Sequence, residues 1–328
     1  MSNPLVNQVH VDAALTQMSV AYIQNANNFV ARKMFPVLPV QYRSDKYFVY
    51  SQADFLRDEA QLRAAGTESA GSEYALTTAT YTAQRFALHK DIADEVRHNA
   101  DPAIDPERDA VNFLAQKMLI HEDRKFAQDF MTTGVWDTDR QGVAAGPAAG
   151  QFVQWTTATL DIIAQVDAWG DIIQKATGNR PNKLLLSRDV YAVVKNNATI
   201  LDSIKYTQTG VLTEQLLASL LGLNEVVIAD GIYNTAAAGA AGSYAFAVGE
   251  DAGVSQSGLL AYVNPTPSIL QPTAGYTFSW NPYADAAGGA LIKSFYMDQL
   301  ASDRVEAEMY WDQKAVSSSC GLFFYDAI

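Results

Sequence analysis

The stretch that most constrains this chain is residues 105–131. It opens Asp105-Pro106-Glu107 and runs on without Gly or Pro until Gly134. The Asp105 carboxylate can accept a hydrogen bond from a free backbone N–H, and Pro106 fits a first helical turn, where its missing N–H costs nothing. Val111, Leu114, Met118, Phe126 and Phe130 recur near three- or four-residue spacing, which predicts one core-facing stripe. At about 1.5 Å per residue the helix would be about 40 Å long. A rod of that length serves as a spine for other parts.

Directly upstream, residues 43–88 read as a long strand-like excursion. Lys46 to Tyr50 predicts one strand, and residues 73–88, rich in Thr, Tyr and Ala, predict a second, longer one. The stretch between them carries Phe55, Arg57, Asp58, Glu59, Arg63 and Glu68. A hairpin with so long a loop is marginal alone in water. It reads either as a flexible surface loop or as an arm that orders against a neighbouring subunit, in which case those six residues are candidate intersubunit contacts. Further upstream, residues 11–25 could hold a short helix. Pro36 and Pro39 exclude a continuous helix over 29–40, so an apolar extended arm is expected there.

Downstream of the long helix, residues 134–150 are small and turn-rich, and 151–155 reads as a short strand. From 161 the pattern alternates. Helices are expected at 161–177, 187–195 and 214–221, the second capped by Ser187 and the third by Thr213. Apolar strands are expected at 183–186 and 225–229. Residues 234–242 (NTAAAGAAG) read as an exposed loop. Strands are expected at 243–248, 258–263, 276–280, 289–297, 304–311 and 322–325, and a short helix at 90–96. No internal repeat is present.

Composition narrows the function classes. The 328 residues carry a formal net charge of -13, so the surface as a whole does not attract nucleic acid. One cysteine, Cys320, excludes an internal disulfide and, within SSSCGLFFY, reads as a small buried residue. The N-terminal sequence lacks the charged and apolar regions of a signal peptide, and no run reaches the ~18–20 apolar residues of a membrane span. Synthesis in the cytoplasm, without insertion into a bilayer, is expected.

Chemical motifs fail one by one. Phosphate-binding loops and the G-x-S-x-G elbow are absent from the sequence. His121-Glu122 begins like a zinc motif, but Lys125 occupies the second histidine position. Asp94 and His98 are four apart with no third ligand indicated. Asp137 to Gly142 resembles the first half of a calcium loop, but Ala148 stands where the bidentate Glu is needed, so an Asx-rich turn is expected instead. Neighbouring carboxylates (Glu250 and Asp251, Asp58 and Glu59) are common on surface loops. No cofactor, metal or catalytic residue is therefore assigned; the competing class is an enzyme with a dispersed active site.

The order of parts resembles the major capsid proteins of tailed bacteriophages, those of the HK97-type fold. The local sequence that carries the resemblance is FVARKMFPVLPV at 29–40 followed by SDKYFVYSQADFLRDEA at 44–60. The resemblance implies an α+β fold with an N-terminal arm (1–42), an extended two-stranded loop (43–88) and a peripheral domain (89–160) containing the spine helix 105–131. It further implies a central α/β axial domain (161–285) and closing strands of the peripheral domain (286–328). It implies hexamers and pentamers that close into an icosahedral shell around double-stranded DNA, bound without sequence specificity. A separate scaffolding protein, a portal and decoration proteins are the partners it implies; the scaffold is expected to be separate because arm-like sequence begins close to Met1. An encapsulin-like compartment shell is the alternative within the fold, and a tail component a further one.

Overall fold

The computed structural model describes residues 23–100, 105–157, 160–204, 212–249, 256–264, 266, 271–280 and 290–328. In chain order, the helices are α1 (Ala31–Met34), α2 (Gln52–Phe55), α3 (Asp94–His98), α4 (Pro106–Phe130), α5 (Ile162–Thr177), α6 (Arg188–Lys195), α7 (Ala198–Ile204) and α8 (Glu214–Leu220). The early strands are β1 (Val37–Val40), β2 (Ser44–Tyr50), β3 (Leu76–Thr82), β4 (Gln84–Ala93), β5 (Thr138–Val143) and β6 (Gln151–Val153). Then come β7 (Lys183–Ser187), β8 (Glu225–Ala229), β9 (Ile232–Asn234), β10 (Tyr244–Phe246) and β11 (Gly258–Ala261). The last are β12 (Gly275–Trp280), β13 (Leu291–Met297), β14 (Ser302–Ala315) and β15 (Gly321–Tyr325). Most of the helix expected over 11–25, and the Glu250–Asp251 pair, lie outside the described residues.

The long helix forms as its sequence dictates. The Asp105 carboxylate accepts from the N–H groups of Glu107 and Arg108, both at 3.1 Å, and Pro106 takes the first position. Its stripe serves two cores rather than one. Leu114 and Met118 pack with Ala110 against Val305, Ala307, Met309 and Trp311 of β14. Phe126 and Phe130 pack into a separate cluster with Phe35, Trp136, Leu259 and Phe323. Val111 is only half-buried, at the margin of the first cluster. Each fully buried Leu, Met or Phe stabilises the fold by roughly 1.5–3 kcal/mol relative to exposure. The hydrophobic period did not reveal that Glu122 and Asp123 are buried too, at 2% and 1% exposure.

The strand expected over 73–88 is two strands in two sheets. β3 pairs antiparallel with β2, from Ser44 opposite Thr82 to Tyr50 opposite Leu76. β4 pairs with β14, from Gln84 opposite Trp311 to Ala93 opposite Ser302. The change occurs at buried Ala83, whose N–H is taken by the Arg43 carbonyl at 2.8 Å, while the Asp312 carboxylate takes the Thr82 N–H at 2.8 Å. The ladder with β14 also overrides the helix expected over 90–96. Residues Lys90 to Ala93 remain in strand, and helix begins only at Asp94.

The apolar segment at 29–40 finds its partner within the same chain. Phe29, Val30, Ala31, Met34 and Phe35 are buried, and β1 pairs in parallel with β12. Phe35 lies edge-on to Phe126 (5.1 Å between ring centroids) and against Phe130 (4.6 Å).

The second layer is a six-stranded sheet in the order β6-β5-β15-β11-β7-β8. Its central strands read as unbroken apolar runs because both faces are covered. Leu184 and Leu186 face the cluster under α5 to α8, while Leu185 faces the cluster shared with α1 and α4. The sheets cut across the boundaries expected at 160 and 285. β5 and β6 join the six-stranded sheet, β12 joins the five-stranded one, and β15 inserts between β5 and β11 while its Phe323 packs in one cluster with Phe126 and Phe130 of α4.

Residues 137–142 are not the expected Asx-rich turn. Thr138–Val143 is a strand beside β15, and Gly142 is needed because a Cβ there would collide with the backbone carbonyl of Asp326. Ser187 precedes α6, but its hydroxyl makes no cap; Thr213 does cap α8, accepting from the Leu216 N–H at 3.2 Å. Helix α7 follows closely on α6 and was not expected from sequence.

Candidate intersubunit surface

The extended loop has a fixed root and an open tip. At the root, Tyr81 stacks on Phe278 (4.5 Å, rings 4° apart) and Tyr47 lies against the same ring at 5.6 Å. Midway, the Gln52 side-chain amide donates to the Ala176 carbonyl and accepts from the Ser319 hydroxyl at 3.1 Å. Beneath the loop runs a groove of about 720 Å³, lined by Leu38, Tyr47, Phe55, Leu56 and Phe278 among others.

Toward the tip, Tyr50, Phe55 and Tyr74 form a triangle with centroids 5.5 to 5.8 Å apart. The triangle is not a core: Phe55 and Tyr74 are more than half exposed, and Leu62 is fully exposed. Exposed apolar side chains concentrated on one projecting element are the composition of an interface.

The charged candidates fall into two groups. Arg57 is already paired inside the loop, with Glu59 at 2.9 Å and Asp54 at 3.3 Å. The Ala75 N–H, and then the Ser51 hydroxyl, hold the Asp54 carboxyl below the usual range, and Ser72 and Arg57 do the same for Glu59. The Arg63 guanidinium donates to the Thr67 carbonyl. Asp58 and Glu68 are exposed and make no hydrogen bond or ion pair among the described residues. The structure thus brings Phe55, Arg57 and Glu59 into one internally braced tip and leaves Asp58 and Glu68 facing outward.

Two further exposed features stand away from the loop. The turn between β9 and β10 projects at 235–243, with Tyr244 and Ile232 exposed at its base. The Asn234 carboxamide oxygen ties that turn by accepting from Ala236 and Ser243, each at 3.0 Å. Strand β13 lies at a sheet edge with Ile292, Phe295 and Tyr296 exposed. Its Phe-Tyr pair was visible in the sequence, but its edge position depends on which strands flank β14.

The outer face of the β4-β14-β13 sheet is laced by ion pairs. Arg304 grips Asp91 through two bonds of 2.7 and 2.9 Å, which holds the Asp91 carboxyl below its ordinary range. Glu308, 2% exposed, sits between Arg85 and Lys293. Burial works to raise its pKa, but the hydrogen bonds from Lys293 and Arg85 outweigh this and lower it. Only the Glu308 carboxylate is buried; Arg85 and Lys293 are nearly half exposed, so these pairs are screened by water and contribute modestly to stability.

Residues considered for chemistry occupy structural places. The Asp94 carboxylate accepts from the Tyr296 hydroxyl at 2.8 Å. His121 lies against Phe86 and Trp311, and burial lowers its pKa. Cys320 is buried and its thiol is pushed up to about 11 by that burial. Among the described residues no group of three or more His, Cys, Asp or Glu could hold a metal ion. Nor is any helix among them long and apolar enough to cross a membrane.

No protein-family model matches the chain. The major capsid protein of Burkholderia phage BcepMu is 20% identical over 225 residues, covering 68% of this chain and 70% of that protein. A phage-related protein from Bordetella bronchiseptica RB50 superposes with a TM-score of 0.66 at 22% identity, covering 97% of each chain. The capsid structure of cyanophage P-SCSP1u superposes at 0.61 with 12% identity, over 99% of this chain and 95% of that one.

Proposed function

We infer that this chain, which has the HK97-type fold of phage capsid proteins, is the major structural subunit of a bacteriophage capsid. Its place is the virion shell, and its work is self-assembly. The observation that carries this reading is the agreement of fold over nearly the whole chain, extended loop and long helix included, with a capsid subunit. The sequence relationship to a phage major capsid protein points the same way and favours a phage capsid over an encapsulin-like compartment.

In the proposed assembly, subunits form hexamers and pentamers of an icosahedral shell enclosing double-stranded DNA. The extended loop lies over the adjacent subunit. Its aromatic tip, with Phe55, supplies apolar contact, and Asp58 and Glu68 supply charges that set register more than affinity. Arg57, Glu59 and Arg63 act by bracing the tip. The turn at 235–243 meets its symmetry mates at the capsomer axis, and the mid-chain sheet forms the axial domain while α4 and the β14 sheet form the peripheral one. A scaffolding protein and a portal complete assembly, and decoration proteins bind the finished shell. The net charge of -13 keeps the subunit from adhering to packaged DNA. Holding each subunit through several weak contacts at once makes the shell stable without any single strong interface.

Sedimentation of the purified chain, alone and co-expressed with the products of its neighbouring genes, tests the reading. Large closed assemblies are expected in at least one condition; monomers throughout would overturn it.

A further inference from the structure

The extended loop is attached to the body of the subunit at two places. The first is its root, where Tyr47 and Tyr81 lie on the Phe278 ring and the Asp312 carboxylate takes the Thr82 N–H. The second is one side chain, Gln52, at the start of α2. Its amide donates to the Ala176 carbonyl, and its side-chain oxygen accepts from the Ser319 hydroxyl at 3.1 Å. Among the described residues, every other hydrogen bond of residues 51–75 stays inside the loop. Ser51 bonds Ala75, Arg57 bonds Asp54 and Glu59, and Arg63 bonds Thr67. Thr67 bonds Ala64, and Ala75 bonds Asp54.

Ala176 suits that donor. It lies in the last turn of α5, where carbonyls lack an intrahelical partner, and the Gly178 N–H goes to Gln174 instead. Ser319 has one proton and two acceptors, the Asp137 carboxylate at 2.5 Å and Gln52 at 3.1 Å. The shorter, charge-assisted bond holds most of that proton. The bond into Ala176 is therefore the stronger of the two Gln52 attachments. Between the root and Gln52 runs the groove of about 720 Å³, lined from the loop by residues 46–52 and from the body by residues 316–319. Across that groove the loop is carried at the root and at Gln52.

We propose that Gln52 is the positioning residue of the extended loop: its N–H···O=C bond to the end of α5 sets the inclination of the loop to the body, and so where the tip meets an adjacent subunit. The meeting with a neighbour rests on the reading of the loop as an intersubunit contact; the inclination does not. A mount at the root alone lets the ribbon pivot about the Phe278 stack. Position 52 therefore needs both reach and a donor. Leu fills similar space with neither polar atom. Glu keeps the shape and the acceptor but replaces the donor by a negative charge facing a carbonyl.

Double electron–electron resonance on the unassembled full-length chain tests this, with spin labels on Leu62→Cys at the fully exposed tip and Ala168→Cys on the exposed face of α5. Cys320 is buried and stays unlabelled in the native chain. The parent should give one narrow distance. Gln52→Leu and Gln52→Glu should each enlarge a displaced population roughly three- to tenfold, the equivalent of one net hydrogen bond. Gln52 is exposed, so Tm should stay within a few degrees of the parent. Unchanged distances in both variants would overturn the proposal. So would a Glu variant that matches the parent while Leu does not, because size rather than the donor would then set the loop. In shells, the same two variants should widen the spread of particle diameters; uniform particles despite shifted distances would overturn the part played in assembly. A parent that forms no particles counts against the shell reading and leaves the distances to decide the positioning.

Discussion

Removing residues 54–71 excises the loop tip, and the structure allows the consequence for the isolated subunit to be worked out. The segment between β2 and β3 would shorten from about 25 residues to about 7, which lowers the closure cost by about 1 kcal/mol. Against this stands the loss of Phe55 from the aromatic triangle, at roughly 0.5–1.5 kcal/mol for each ring pair lost. The stacked root of Tyr47, Tyr81 and Phe278 lies outside the deletion, as do Gln52 and Ser319. The two contributions nearly cancel, so subunit stability should change by no more than about 1–2 kcal/mol. Circular dichroism and thermal unfolding should show a native subunit with Tm within several degrees of the parent. Sedimentation should show no stable closed particles. Normal particles would refute the role given to the tip, and an unfolded subunit would refute the separation of tip from root.

Other outcomes follow from single sites. Phe35→Ala removes a fully buried ring lying against Phe126 and Phe130 and should cost about 3–5 kcal/mol, read by denaturant unfolding. Gly142→Val sets a branched side chain against the Asp326 backbone carbonyl and should lower Tm sharply, whereas Gly146→Ala, where space is open but φ is +65°, should cost about 1 kcal/mol. Cys320, buried and with its thiol raised to about 11, should resist alkylation at pH 8 in the native chain and react at an ordinary rate once unfolded. Rapid labelling of the native chain would place the thiol elsewhere.

Where a fold rule depends on local chemistry, the sequence was readable. Asp105 and Pro106 start α4, Asp161 and Gly178 bracket α5, and Thr213 caps α8, because each device acts within a few residues. The errors arose where a distant strand decides the outcome. Ala83 breaks a Thr- and Tyr-rich run only because Arg43 and Asp312 take its neighbourhood's N–H groups. Lys90 to Ala93 stay extended because β14 lies alongside. Asp137 to Gly142 looked like a turn by composition, yet β15 draws Thr138 onward into a sheet. The candidate tip was legible as a charged, overlong loop. Its aromatic triangle was not, since Tyr50, Phe55 and Tyr74 meet only after the chain folds back. Buried Asp123 was invisible for the same reason: the N–H groups it satisfies lie about ninety residues away.

Electron microscopy of particles purified from cells expressing the chain with its neighbouring genes tests the central claim most directly. Closed icosahedral shells should appear, with this fold in every hexameric and pentameric position and each extended loop resting on an adjacent subunit. A chain that stays monomeric, or particles whose walls lack this fold, would contradict it.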